Sequence, residues 1–180
     1  MEPNEIIMRT PQSIQGLDDM IQWIEKSGFN PGKMKLVEIG VFLGDSTEVF
    51  CKHFKKVDSI DPWVSDIGDI TSSCDMNKIF DAFVLKMGSV LNLNVIRDYS
   101  FNAVKQFQDG SIDMVYIDGS HEYKDVKRDL KDWISKVRKG GIVAGHDFRD
   151  KFKGVKNAVM ESVGKPKAIF RDSSWITIKK

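Results

Sequence analysis

The stretch Leu36-Val-Glu-Ile-Gly-Val-Phe-Leu-Gly-Asp-Ser-Thr47 constrains this chain more than any other part of it. An apolar run ends at one glycine, a second glycine follows four residues later, and a polar helix start comes next. A buried strand that turns through glycine into a helix is the opening unit of a doubly wound α/β protein. Glu38 lies inside the strand, Gly40, Val41 and Gly44 make the turn, and Ser46 and Thr47 open the helix. Glycine has no Cβ, so a ligand can approach the backbone closely there. The spacing E-x-G-x-x-x-G lacks the middle glycine of G-x-G-x-x-G, the turn that lays a pyrophosphate on a helix N-terminus. It suits a ligand with one nucleoside and an amino-acid tail.

The rest of the chain repeats the strand–helix alternation. Ile14, Leu17, Met20, Ile21 and Ile24 recur at helical spacing, which predicts a first helix over about 12–28 ahead of a core over about 33–180. Strands are expected at Met34–Ile39, Val57–Asp61, Leu93–Arg97, Ile112–Ile117 and Ile142–Ala144. Asp45 and Glu48 have the spacing of a cap and its partner. The stripe Tyr123, Val126, Leu130, Trp133, Ile134, Val137 predicts a long helix that Gly140-Gly141 breaks. A loop with Pro62, Gly68 and two serines leads to a helix marked by Met76, Ile79, Phe83 and Met87. Val155, Val159 and Val163 predict a last helix, and Lys167–Phe170 with Trp175–Ile178 read as a terminal hairpin. Alternating strands and helices imply right-handed crossovers and a mostly parallel sheet.

The 180 residues suit one domain, 1–180, with a single sizeable core. The net charge of +1 excludes a global electrostatic footprint for nucleic acid or an anionic membrane. The lysines of 151–156 read as a solvated face. Two cysteines cannot make a disulfide framework, and no signal peptide or membrane span is visible, so a cytoplasmic setting is expected.

In open α/β sheets, ligands bind beyond the carboxyl ends of the strands. The second strand ends at Asp61, about twenty residues past the glycine turn, the position from which a carboxylate accepts ribose hydroxyls. Trp63 follows it as a candidate cover for a nucleoside. The third strand leads to Asp98-Tyr99-Ser100, where Asp98 either caps the next helix or accepts from a base amine. The fourth strand ends at Asp118-Gly-Ser-His121 and the fifth at His146-Asp147. His121 stands in a first helical turn, where a cation is disfavoured, which points to a neutral or functional imidazole. Trp23, Trp133 and Trp175 read as core.

The segments Ile117-Asp-Gly-Ser-His-Glu-Tyr-Lys124 and Gly140-Gly-Ile-Val-Ala-Gly-His-Asp147 resemble those of small class I S-adenosyl-L-methionine (SAM) dependent O-methyltransferases, similar to the sugar O-methyltransferases of macrolide biosynthesis. With the glycine turn and Asp61, the resemblance covers roughly residues 34–150. It implies a seven-stranded Rossmann-like sheet in the order 3-2-1-4-5-7-6, last strand antiparallel, helices on both faces. It implies SAM as cofactor, held by Glu38, Gly40, Val41, Gly44, Ser46, Thr47, Asp61, Trp63, Asp98, Tyr99, Ser100 and Asp118. In metal-dependent relatives, carboxylates after strands four and five hold a divalent cation, and Asp118 and Asp147 occupy those positions, pointing to Mg²⁺ or Mn²⁺. His146 departs from the pattern, standing where those enzymes often carry a second acid.

The expected reaction is methyl transfer to a hydroxyl of a small molecule or sugar. Such a hydroxyl needs a general base or a Lewis acid, and the candidate catalytic residues are His121, His146 and Asp118. No large lid insertion is present, which leaves an acceptor site that is open or completed by a second copy in a homodimer. Two rival readings are a nicotinamide-dependent oxidoreductase, disfavoured by the glycine spacing and the hairpin, and a SAM-binding interaction module that has lost catalysis, disfavoured by the histidines. Thermal shift with SAM against NAD separates the first rival, and methyl transfer to sugars separates the second.

Overall fold

A computed structural model describes residues 10–65 and 74–180. The expected loop around Gly68, Ser72 and Ser73 lies outside the described residues.

The elements are α1 (Pro11–Lys26), β1 (Lys35–Ile39), α2 (Asp45–His53), β2 (Lys56–Ile60), α3 (Met76–Met87), β3 (Leu93–Ile96), α4 (Ser100–Ala103), β4 (Ile112–Ile117), α5 (Tyr123–Lys136), β5 (Val137–Gly145), α6 (Lys153–Val163), β6 (Ala168–Ile169) and β7 (Trp175–Ile178). The sheet order is β3-β2-β1-β4-β5-β7-β6. The five strands β1 to β5 pair in parallel, and β7 runs antiparallel to both β5 and β6. This is the Rossmann-like seven-stranded arrangement that the sequence predicts.

Side chains alternate across a strand, so a sheet buried on both faces feeds two cores. Val37, Ile39, Val115, Ile117 and Val143 point to one face, where α5 and α6 bring Val126, Leu130, Trp133, Val155 and Val159. Leu36, Met114, Tyr116, Ile142 and Ala144 point to the other, where α1 brings Leu17, Met20 and Ile24, α2 brings Phe50, and the C-cap of α2 is Phe54. The α1 stripe that precedes the sheet is thus core. Trp133 and Trp175 are buried as expected, and Trp23 packs at the edge of the second core.

Two local expectations are corrected. Asp45 and Glu48 do not form a capping box. Gly44, with φ of 76°, is the N-cap of α2 without a side-chain cap. Asp45 and Glu48 instead receive the Lys86 ammonium at 2.9 and 3.2 Å, which ties α2 to the end of α3. The glycine pair also does not break α5. The helix ends at Lys136, and Gly140-Gly141 lie inside β5. There the pairing with β4 shifts register between Ile112 and Met114. Gly140 has φ of 70°, and a Cβ on Gly141 would sit 2.7 Å from the Asp113 carbonyl oxygen. The glycines make a bulge, not a helix stop.

Candidate active site

The β1–α2 turn is fastened by two carboxylates. Glu38 is fully buried and accepts hydrogen bonds from the hydroxyls of Ser46 at 2.5 Å, Thr47 at 2.6 Å and Ser59 at 2.8 Å. A buried charge is tolerated when donors satisfy it, and three hydroxyls do so here. The Asp61 carboxylate accepts from the backbone N–H groups of Val41 at 2.8 Å, Phe42 at 3.1 Å and Trp63 at 2.7 Å. It therefore clamps the glycine turn from the end of β2. Gly40, with φ of 85°, passes so close to β4 that a Cβ would meet the Asp118 carbonyl oxygen at 2.2 Å. Only glycine fits that crossing.

These residues border a cavity of about 730 Å³ at the carboxyl edge of the sheet, within the usual range for small-molecule sites. Gly40, Val41, Ser46, Asp61, Tyr99, Ser100, Asp118, His121, His146 and Asp147 all line it, so the segments that follow all five parallel strands meet there. Glu38, Gly44 and Thr47 stand behind the turn and hold it. Trp63 does not cover the cavity. It is buried between Phe80 and Phe83, and its indole N–H donates to the Phe42 carbonyl at 3.0 Å. Asp98 is absent from the cavity lining as well: its Oδ1 accepts from the Tyr99 N–H at 2.7 Å and the Asn102 side-chain amide at 3.1 Å, beside a helix whose N-cap is Tyr99 and has no side-chain cap, so neither expected role is seen.

At the β4–β5 end, His121 Nε2 lies 2.8 Å from Asp147 Oδ2. Its ring stacks on Phe152 with centroids 4.2 Å apart. His146 Nδ1 lies 3.3 Å from Asp147 and 3.5 Å from Asp118. Asp147 is buried and has φ of 60°, a strained conformation for a non-glycine residue of the kind that clusters at functional sites. Burial pushes its carboxyl up, but the hydrogen bonds from His121 and His146 outweigh that and hold it well below the usual carboxylate range. Arg149 adds a contact at 3.2 Å to the same carboxylate.

Asp118, His146 and Asp147 each offer a ligand atom within 4.8 Å of the others. Two carboxylate oxygens and one imidazole nitrogen make a donor set that fits Mg²⁺ or Mn²⁺, with room left for water or substrate oxygens. The departure at His146 thus adds a nitrogen ligand candidate that the sequence reading had not assigned to the metal.

Among the residues of the cavity wall that the sequence does not single out are Phe152, Arg149 and Asp129. Phe152 and Arg149 follow Asp147 in a segment without periodicity. Asp129 had a legible signal: it lies three residues after Val126 and four before Trp133, an acid on the buried stripe of α5.

A family model described as a methyltransferase domain matches residues 37–148. A curated relative, the uncharacterized protein y4gI of Sinorhizobium fredii (strain NBRC 101917 / NGR234), is 27% identical over 120 residues, 63% of this chain. The chain spans only 13% of the length of that relative. Among solved structures, a putative caffeoyl-CoA O-methyltransferase from Staphylococcus aureus matches 98% of this chain and 87% of its own, with a TM-score of 0.65 and 17% identity. The N-methyltransferase NodS from Bradyrhizobium japonicum WM9, in complex with S-adenosyl-L-homocysteine, matches 86% of this chain and 76% of its own, with a TM-score of 0.58 and 13% identity. These likenesses carry the fold, and the family match extends from the glycine turn through Asp147. The chain belongs to the methyltransferase-domain family.

Proposed function

We propose that this protein transfers the methyl group of SAM to a hydroxyl of a small molecule or sugar. The observation that carries the reading is one cavity with two different ends. At one end the turn clamped by Glu38 and Asp61 offers backbone to a nucleoside with an amino-acid tail. At the other, His121, Asp147, His146 and Asp118 converge. The S-adenosyl-L-homocysteine held by NodS supports the choice of cofactor.

The sulfonium methyl is already activated, so the protein supplies alignment and an acceptor oxygen relieved of its proton. With Nε2–H donated to Asp147, the His121 imidazole keeps Nδ1 as its basic nitrogen. Asp147, held ionised, stabilises the imidazolium that forms. The acceptor oxygen–carbon bond forms as the sulfur–carbon bond breaks, the proton passes to His121, and S-adenosyl-L-homocysteine departs. Phe152, stacked on the imidazole, fixes the ring and excludes water from one of its faces. A divalent cation held by Asp118, Asp147 and His146 would supply Lewis acidity toward the acceptor oxygen.

The test is thermal unfolding with SAM, S-adenosyl-L-homocysteine and NAD, followed by methyl transfer to a panel of sugars and catechols. The adenosyl ligands are expected to stabilise the protein and NAD to leave it unchanged. No shift with either adenosyl ligand overturns the reading. Dialysis against a chelator is expected to lower turnover and Mg²⁺ or Mn²⁺ to restore it. Full turnover in chelator would leave proton removal to His121 without a metal.

A further inference from the structure

The segment that follows Asp147 carries two cations for which methyl transfer itself has no use. Arg149 and Lys151 both line the cavity, and both lie against the Phe152 ring, the guanidinium carbon 4.8 Å and the Lys151 Nζ 5.2 Å from its centroid. The backbone is tightly turned there. The Arg149 N–H donates to the Asp147 carbonyl at 2.8 Å, and the Phe152 N–H to the Arg149 carbonyl at 3.0 Å. Among the described residues the guanidinium makes one polar contact, from Nη2 to Asp147 Oδ1 at 3.2 Å, and the Lys151 ammonium has no hydrogen bond or ion pair.

The acids of the wall do not answer these charges. Asp45 receives Lys86, Asp61 gathers three backbone N–H groups, Asp125 pairs with Arg128 at 3.2 Å, and Asp129 accepts from Ser100. Asp118 faces His146 at 3.5 Å, and Asp147 is shared by His121, His146 and Arg149. Asp150, between the two cations in sequence, holds Lys156 at 2.6 Å. A positive excess remains at one end of a concave site, and such a site focuses its field on an anion.

The sheet order says which ligand meets it. The glycine turn follows β1 and Asp61 follows β2, whereas Arg149 and Lys151 follow β5, on the far side of β4. The proposed base lies between them. His121 Nε2 contacts Oδ2 of Asp147, and Arg149 Nη2 contacts Oδ1 of the same carboxylate. An anion on the guanidinium is therefore within one small molecule's reach of a hydroxyl on His121.

We propose that the acceptor is itself an anion, with a phosphate or carboxylate on the same small molecule as the methylated hydroxyl, and that Arg149 and Lys151 hold that group. The proposal rests on the methyl-transfer reading. The planar guanidinium fork can meet two oxygens of either group, and the ammonium adds a point charge. Anchoring the anion between β5 and α6 turns the hydroxyl toward His121.

The experiment is calorimetric titration of the full chain, loaded with S-adenosyl-L-homocysteine, with matched acceptors: catechol against 3,4-dihydroxybenzoate, and glucose against glucuronate and glucose 6-phosphate. An anionic member is expected to bind about ten-fold tighter than its neutral counterpart, an advantage that shrinks as salt rises. Comparison of glucuronate with glucose 6-phosphate distinguishes a carboxylate from a phosphate as the group held. Arg149→Gln is expected to bring the ratio to within about two-fold of unity, and Arg149→Lys to keep part of it. Lys151→Gln is expected to narrow the ratio by a smaller factor. Its side chain is exposed, so it carries the test if the Arg149 variants do not fold. Lys153→Gln, in the same basic segment but outside the cavity lining, is expected to leave the ratio intact. Equal binding of charged and neutral members by the wild type overturns the proposal alone. Equal narrowing in Lys153→Gln also overturns it, since a diffuse field would then suffice. A fall in S-adenosyl-L-homocysteine affinity in Arg149→Gln with the ratio unchanged gives the guanidinium to the cofactor and overturns it as well. Failure of the wild type to bind S-adenosyl-L-homocysteine at all overturns the methyl-transfer reading and this proposal together.

Discussion

Asp61 has two roles in the geometry. Its carboxylate borders the cavity and also gathers three backbone N–H groups into the turn. Asp61→Ala removes acceptors from all three, so affinity for S-adenosyl-L-homocysteine is expected to fall by ten- to hundred-fold, on the order of 2–3 kcal/mol. Calorimetry on the folded variant reads it, and unchanged affinity would remove Asp61 from the site. Glu38→Gln sets an amide N–H₂ among three hydroxyl donors. A loss of about 1–3 kcal/mol in unfolding free energy is expected in urea titration, from buried donors left facing a donor. His121→Ala is expected to slow the chemical step by roughly 10²–10⁴-fold while cofactor affinity holds. Single-turnover methyl transfer alongside titration separates the two quantities, and a variant as fast as the parent would displace His121 as the base.

The strand ends were legible in the sequence because the fold puts chemistry at a predictable edge. Asp61, Asp118, His121, His146 and Asp147 all line the cavity. The boundaries that failed did so for local reasons. Gly140-Gly141 looked like a helix stop, since a bulge and a stop use glycine for the same backbone freedom. Asp45 and Glu48 looked like a cap because their partner, Lys86, lies far away in sequence. Trp63 looked like a cofactor cover because nothing in its neighbourhood foretold the Phe80–Phe83 nest. At this scale the β1–β4 crossing gives a sharp expectation. Gly40→Ala must either shift the turn or separate it from β4, since φ is 85° and the Asp118 carbonyl oxygen is 2.2 Å from the added Cβ. Loss of both cofactor binding and several degrees of melting temperature is expected. Retention of both would mean that the crossing relaxes freely.

Across the whole molecule, two buried acids that line the cavity also shape the response to pH. Asp147 is held below its ordinary range, so the unfolded chain binds more protons as pH falls below about 3.8, and the stability Asp147 contributes is lost in acid. Asp129 has the opposite sign. Its folded value, about 6 against an ordinary 3.8, means that the native state binds more protons between those limits. Stability must therefore decline as pH rises from about 4 to 6 and stay lowered above that, because the buried carboxylate is then charged. A shift of about two units corresponds to roughly 2–3 kcal/mol. Arg128 eases the charge, while Asp125 and Asp132 oppose it, and desolvation exceeds all three. Asp129→Asn is neutral at every pH, so its stability relative to the parent is expected to match below about pH 4 and to rise by that amount above pH 7. Urea unfolding of both proteins across this range gives the difference directly, free of the other titrating groups they share. A flat difference would show that Asp129 carries no such strain. A rising one is what a carboxylate charged within the buried wall of the cavity would produce, its desolvation outweighing the Arg128 charge nearby.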